Sequence, residues 1–171
     1  VTAARRKGVE VARGNWLCFV DGDDMLPKDA LLDLYNNRSD VIDIVIGSQI
    51  YMVDEQGNMI RKICAQGSAN NWNNIDFLKA LLEGRTPLSV CGKLYRRSLF
   101  DSLVFDLPKS MPYGEDYIMN VRLAVKVQKV RAIDKHVYNY VQHGNSCMHT
   151  FQNTWEYAKR MNGYLLQPIR A

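Results

Sequence analysis

The sequence has no apolar run long enough to cross a bilayer. Its longest, Val41 to Val53, is interrupted by Asp43, Gly47, Ser48 and Gln49 and falls short of the roughly 18–20 apolar residues a spanning helix needs. CxxC spacing is also missing. Cys18, Cys64, Cys91 and Cys147 stand far apart in apolar or mixed segments, which argues against a zinc site or a disulfide framework and for reduced thiols. Charge imbalance is small: 22 Lys+Arg against 18 Asp+Glu leave a net +4. That is far from the footprint of a dedicated nucleic-acid binder, so no nucleic-acid partner is expected, while a small anionic ligand stays compatible. No long internal repeat is visible. The first residues, Val-Thr rather than Met, lead straight into a helical pattern without the features of a signal peptide.

What is present is ordinary for a soluble globular domain, with 47% hydrophobic and 23% charged residues among 171, enough for one domain with a real core. Thr2 is placed to cap a helix running to Ala12, with Gly14 ending it. Trp16 to Val20 reads as a strand buried in a sheet covered on both faces. Lys28 to Tyr35 carries Ala30, Leu31, Leu34 and Tyr35 on one helical face. The Val/Ile-rich stretch Val41 to Val53, a turn over 54–58 and the return Met59 to Cys64 form a hairpin. Gln66 to Asn74 reads as a polar loop whose last residue caps a helix bearing Phe77, Leu78, Leu81 and Leu82. Ser89 to Tyr95 is extended, Glu115 opens a further helix, Val130 to Val141 is β-like, and Phe151 to Leu166 has near-helical spacing. Helices alternating with strands predict an α/β domain with a partly parallel sheet.

The chemistry concentrates in Asp21-Gly22-Asp23-Asp24, directly after the apolar run Trp16 to Val20. α/β sheets bind ligands just beyond the carboxyl ends of their strands. On an extended path Asp21 and Asp23 point to one side, and two hard oxygen donors there suit Mg²⁺ or Mn²⁺, ions that complete their shell with water and phosphate. Three unpaired acids in four positions repel one another unless a cation compensates. An EF-hand is excluded, because Leu26 and Leu32 stand where its Gly and closing Glu are required.

Around this turn the sequence resembles the family 2 glycosyltransferases of the GT-A fold. Ala4-Arg5-Arg6-Lys7-Gly8, Ala12-Arg13-Gly14-Asn15-Trp16 and Phe19 to Asp24 follow the family's A-R-N-x-G … A-x-G … D-x-D-D order, with Arg6 standing where the family has Asn. Lys93 to Phe100 is similar to its K-L-Y-R-R stretch, Gly114-Glu115-Asp116 to its E-D motif, and Tyr138-Asn139-Tyr140 through Ser146-Cys147-Met148-His149 to its Y-x-Y … S-x-x-H ending. The resemblance implies a mixed sheet with helices on both faces. Residues 1–150 would form the metal and acceptor part of the domain and 151–171 a C-terminal helix. The family's opening strand-helix-strand, with its nucleobase pocket, has no counterpart before the A-R helix, so the chain is expected to be N-terminally truncated.

The implied activity is transfer of a sugar, with inversion, from a nucleotide-sugar donor to the hydroxyl of a saccharide or lipid-linked acceptor, in bacterial surface-polysaccharide synthesis. The enzyme would be cytoplasmic, with peripheral contact at the inner membrane face. By the same resemblance Asp23, Asp21 and His149 are the metal ligands for Mn²⁺ or Mg²⁺, and Asp116 is the base with Glu115 beside it. Asp21, Arg5 and Lys93 meet the donor. Trp72 is a candidate stacking platform for a sugar. Two other readings are a haloacid-dehalogenase-type phosphatase, whose D-x-D-x-[TV] motif is matched except at Met25, and a non-catalytic binding module with the same fold.

Overall fold

The computed structural model describes residues 1–64, 70–108, 111, 113–143 and 163–164. The expected helix over 151–166, apart from residues 163–164, and His149 lie outside them. The elements are α1 (Thr2–Val11), β1 (Trp16–Cys18), α2 (Ala30–Asn36), β2 (Ile44–Val53), β3 (Met59–Cys64), β4 (Asn70–Trp72), α3 (Asn74–Leu82), β5 (Lys93–Arg96), α4 (Glu115–Ala124) and β6 (Val130–Val141). A single 3₁₀ turn, Arg97–Leu99, follows β5.

The sheet order is β1-β5-β2-β6-β4, with β3 added to β2. β2 and β6 run parallel, and the other pairs are antiparallel. The α/β architecture with a mixed, partly parallel sheet therefore matches the expectation. Ile44 to Ser48 of β2 are buried without alternation, the mark of a strand covered on both faces. The core gathers on β2, β5 and β6, with Phe77, Ala80 and Leu81 of α3, Ala30 and Leu34 of α2 and Met119 and Leu123 of α4 packed into it.

Several local expectations shift. β1 ends at Cys18 and its residues are only half-buried, because it stands last in the sheet order with β5 as its one strand partner among the described residues. A single parallel bridge from Phe19 to Cys91 carries the chain onward. Val1, not Thr2, precedes the first helical residue. Asn73, one residue earlier than expected, caps α3, its side chain accepting from the Asp76 N–H at 2.9 Å. On α2 only Ala30 and Leu34 are buried, so the face is narrower than the apolar spacing suggested. Part of the polar loop is strand β4, whose Trp72 is 9% exposed and stacked on Phe77. Packed into the core, Trp72 offers no free platform for a sugar.

At Gly47 of β2 there is no room for a side chain against β6: an added Cβ would lie 1.9 Å from a Val137 methyl. Gly47→Ala is therefore expected to lower stability by about 1–3 kcal/mol through overpacking, read as a drop in the denaturant midpoint at unchanged slope.

Candidate active site

Three separate segments converge on one guanidinium. Arg5, on the buried side of α1, has a side chain only 8% exposed. Its Nη2 donates to Asp21 Oδ1 at 2.9 Å, and its Nη1 meets Asp116 Oδ1 and lies 3.4 Å from Glu115 Oε1. Burial opposes the guanidinium's charge, but Asp116 and Asp21 outweigh it and raise the Arg5 pKa above its ordinary value. A buried charge persists only with such partners.

Asp21 stands two residues past the Phe19 bridge, in a turn closed by the Asp24 N–H donating to the Asp21 carbonyl at 3.1 Å. This turn is pinned to the end of β6. Tyr138 Oη accepts from the Asp21 N–H at 3.1 Å and donates to Asp24 Oδ2 at 2.7 Å, the Val141 N–H donates to Asp24 Oδ1 at 2.9 Å, and Met25 and Asn139 exchange two backbone bonds. Asp24 is thus a structural neighbour of the site and not the cap of α2, a position Asp29 holds. Burial raises its pKa. Asp23 stays exposed at the apex.

Glu115 and Asp116 open α4, behind Gly114 with φ +79°, a left-handed conformation that glycine adopts without strain. Acids in a first helical turn are favoured by the helix dipole. Beyond that, Asp116 is heavily oriented: its Oδ2 accepts from Ser89 Oγ at 3.0 Å and the Val90 N–H at 3.2 Å. A carboxylate offers about four acceptor positions. Arg5, Ser89 and Val90 take three of them. Burial and the adjacent Asp116 charge raise the Glu115 pKa from its ordinary value. A cavity of about 530 Å³, lined by Thr2, Arg6, Leu103, Phe105, Met111 and Glu115 among others, opens beside it.

The structure thus brings together Arg5, Asp21, Glu115 and Asp116, with Asp23 two residues further along the turn. Lys93 is placed otherwise. It is fully buried, and its Nζ donates to the carbonyls of Pro87 at 2.7 Å and of Ser89, so the ammonium faces backbone and has no path to a donor phosphate. Burial lowers its pKa to about 7. Arg96 and Arg97 are likewise engaged, the first with the carbonyls of Ser39, Asp40 and Ile42 and the second with that of Ala12. Ser89 and Tyr138 are site residues that sequence reading missed as such, although Tyr138 opens the Y-x-Y stretch. Among the described residues, no three His, Cys, Asp or Glu side chains form a closed metal cage, and no helix is long and apolar enough to cross a membrane.

Residues 1–104 match the family described as Glycosyl transferase family 2. The chain belongs to this family. It is 28% identical over 152 residues to a protein called putative glycosyltransferase EpsH of Bacillus subtilis, covering 88% of this chain and 44% of that one. It is 27% identical over 165 residues to glycosyltransferase GlyA of Streptococcus pneumoniae, covering 92% and 23%. The chain thus spans less than half the length of these curated relatives. Among solved structures, that of S. aureus TarS 1-349 in complex with UDP-GlcNAc superimposes with a TM-score of 0.67 at 18% identity, over 95% of this chain and 46% of that one. A complex of the same protein with UDP gives 0.63. The fold is GT-A, and family membership displaces the phosphatase reading of the acidic turn.

Proposed function

We propose that this chain carries the metal and acceptor part of an inverting, metal-dependent hexosyltransferase that uses a nucleoside-diphosphate sugar. The observation that carries the reading is the Arg5 bridge, which sets the acidic turn and the Asp116 carboxylate against the same side chain. Direct inversion needs a base on the acceptor side of the anomeric carbon and charge stabilisation on the diphosphate side. In this reading the acceptor hydroxyl gives its proton to Asp116 as its oxygen bonds the anomeric carbon. The bond from that carbon to the diphosphate oxygen breaks, and the diphosphate leaves with the electron pair. Glu115 orients the acceptor.

The donor set fits Mn²⁺ or Mg²⁺, since such ions are usually held by one or two carboxylates plus phosphate oxygens and need no closed cage. Asp23 and Asp21 would hold the ion, with His149 as a third ligand, and the ion would supply positive charge against the leaving diphosphate. Binding of UDP-GlcNAc and UDP by the TarS neighbour supports a nucleotide-sugar donor. The acceptor we infer is a saccharide or lipid-linked saccharide of a bacterial surface polysaccharide, met at the cytoplasmic face of the inner membrane. The exposed Arg6, Lys7 and Arg13 suit contact with anionic lipid.

Titration calorimetry on the protein at its natural length tests the metal assignment. UDP should bind in the presence of Mn²⁺ and lose on the order of tenfold in affinity or more in Asp23→Ala, as expected when a charge-bridging ligand is removed. Equal affinity in the variant, or Mn²⁺-independent binding, would contradict it.

A further inference from the structure

We propose that Lys93 is a positioning residue for Asp116, acting through the segment 87–91, and not a donor-binding group. The inference rests on the reading of Asp116 as the base. An ammonium buried to 0% exposure is costly unless it is well bonded, and the groups that bond it are two carbonyls of one short segment, those of Pro87 and Ser89. The next atoms of that segment hold the base: Ser89 Oγ and the Val90 N–H both donate to Asp116 Oδ2. The Cys91 N–H donates to Ser89 Oγ at 3.0 Å, which fixes the hydroxyl's rotamer and turns its proton toward the carboxylate.

From the other side Asn120 closes the same unit. Its Nδ2 donates to the Leu88 carbonyl at 2.8 Å and to the Asp116 carbonyl at 3.0 Å, while its Oδ1 accepts from Tyr95 Oη at 3.0 Å. Segment 87–91 is therefore clamped between β5 and α4, and Lys93 is the clamp on the strand side. Catalytic groups must be held within about 0.5 Å of productive geometry by residues that are themselves locked, and a misplacement of about 1 Å can cost on the order of a hundredfold in rate.

The test compares Lys93→Met, Ser89→Ala and the double variant in steady-state transfer by the natural-length protein, with thermal unfolding as a check on the fold. Each single variant is expected to lower kcat by about ten- to a hundredfold with donor KM within about twofold, because neither touches the donor. The double variant should be no worse than the poorer single one, since both act through the same bond. A raised donor KM at unchanged kcat in Lys93→Met, or multiplicative losses in the double variant, would overturn the proposal. Unchanged kcat in Ser89→Ala overturns it too, even if Lys93→Met fails to fold. Asp116→Asn with full activity would instead defeat the base assignment, whereas an inactive Asp116→Asn beside a normal Lys93→Met defeats the role of Lys93 alone.

Discussion

Replacing Asp116 by Asn should lower kcat for sugar transfer by about a thousandfold, within the range general-base catalysis supplies, while donor KM changes little. The substitution keeps the shape of the side chain and can retain an oxygen toward Arg5 Nη1. What it removes is the acceptor of the substrate proton. It also turns an NH₂ toward Ser89 Oγ and the Val90 N–H. The hydroxyl can accept from it, but the backbone donor loses its partner, at a cost of about 1 kcal/mol in stability. The contrast with Glu115→Gln is informative. Burial and the Asp116 charge already push Glu115 toward its protonated form, which Gln mimics, so that variant should lose no more than about tenfold. Steady-state rates with a labelled donor separate the two. Equal losses would mean that the assignment of base and orienting group is wrong.

The second large effect is expected from Arg5→Met, which affects the fold as well as the chemistry. Arg5 is the shared cationic partner of Asp21, Glu115 and Asp116, and deleting one partner of a buried ion pair leaves uncompensated charge costing about 3–5 kcal/mol. Asp21 is 40% exposed and its share is screened by water, so the loss should fall near the lower end, about 3 kcal/mol. For a domain of this size that is a melting temperature lower by roughly 6–12 °C. Burial and the Asp116 charge already raise the Glu115 pKa, and the Arg5 charge opposes them. Without Arg5 the Glu115 pKa rises further in the folded state and folding takes up a proton there, so the gap to the parent protein should narrow as pH falls. A gap independent of pH would show that the lost packing of the side chain, not its charge, is what matters. Transfer should fall with stability, because the acidic turn and the base lose the contact that holds them to one centre.

Much of this centre is legible in the sequence because its signals are local. An acidic turn directly after an apolar strand, a glycine before an acidic pair at a helix start, and a Val/Ile run returning across Asp54 to Asn58 each encode their own geometry within a few residues. The partnerships that turn these pieces into a site are not local. Arg5 meets Asp116 across 111 positions, and a basic residue at a helix start reads equally well as a solvated end or a phosphate contact. Lys93 beside a strand reads as exposed, since lysine is rarely buried without a partner, and its partners are carbonyls, which leave no trace in residue type. Trp72 in an Asn-rich stretch suggests a surface aromatic. Only the pairing of β4 with β6 and the stack on Phe77 put it inside.

β1 departs from the sequence expectation for a related reason. An apolar run shows that a strand is sheltered, but not how many strands flank it, and Trp16 to Cys18 are half-buried at the end of the sheet order. The turn that follows draws its rigidity from β6, through Tyr138, Asn139 and Val141. That long-range support gives the Y-x-Y stretch a physical role: it fixes the acidic turn in place.

A crystal structure of the natural-length protein soaked with Mn²⁺ and UDP, read by the anomalous signal of manganese, tests the metal site at its atoms. A peak bonded to the Asp23 carboxylate at the acidic turn is expected, with the diphosphate on the side facing Asp116 and the Arg5 bridge intact. A bound nucleotide with no peak at Asp23, or a peak away from the turn, would contradict this assignment.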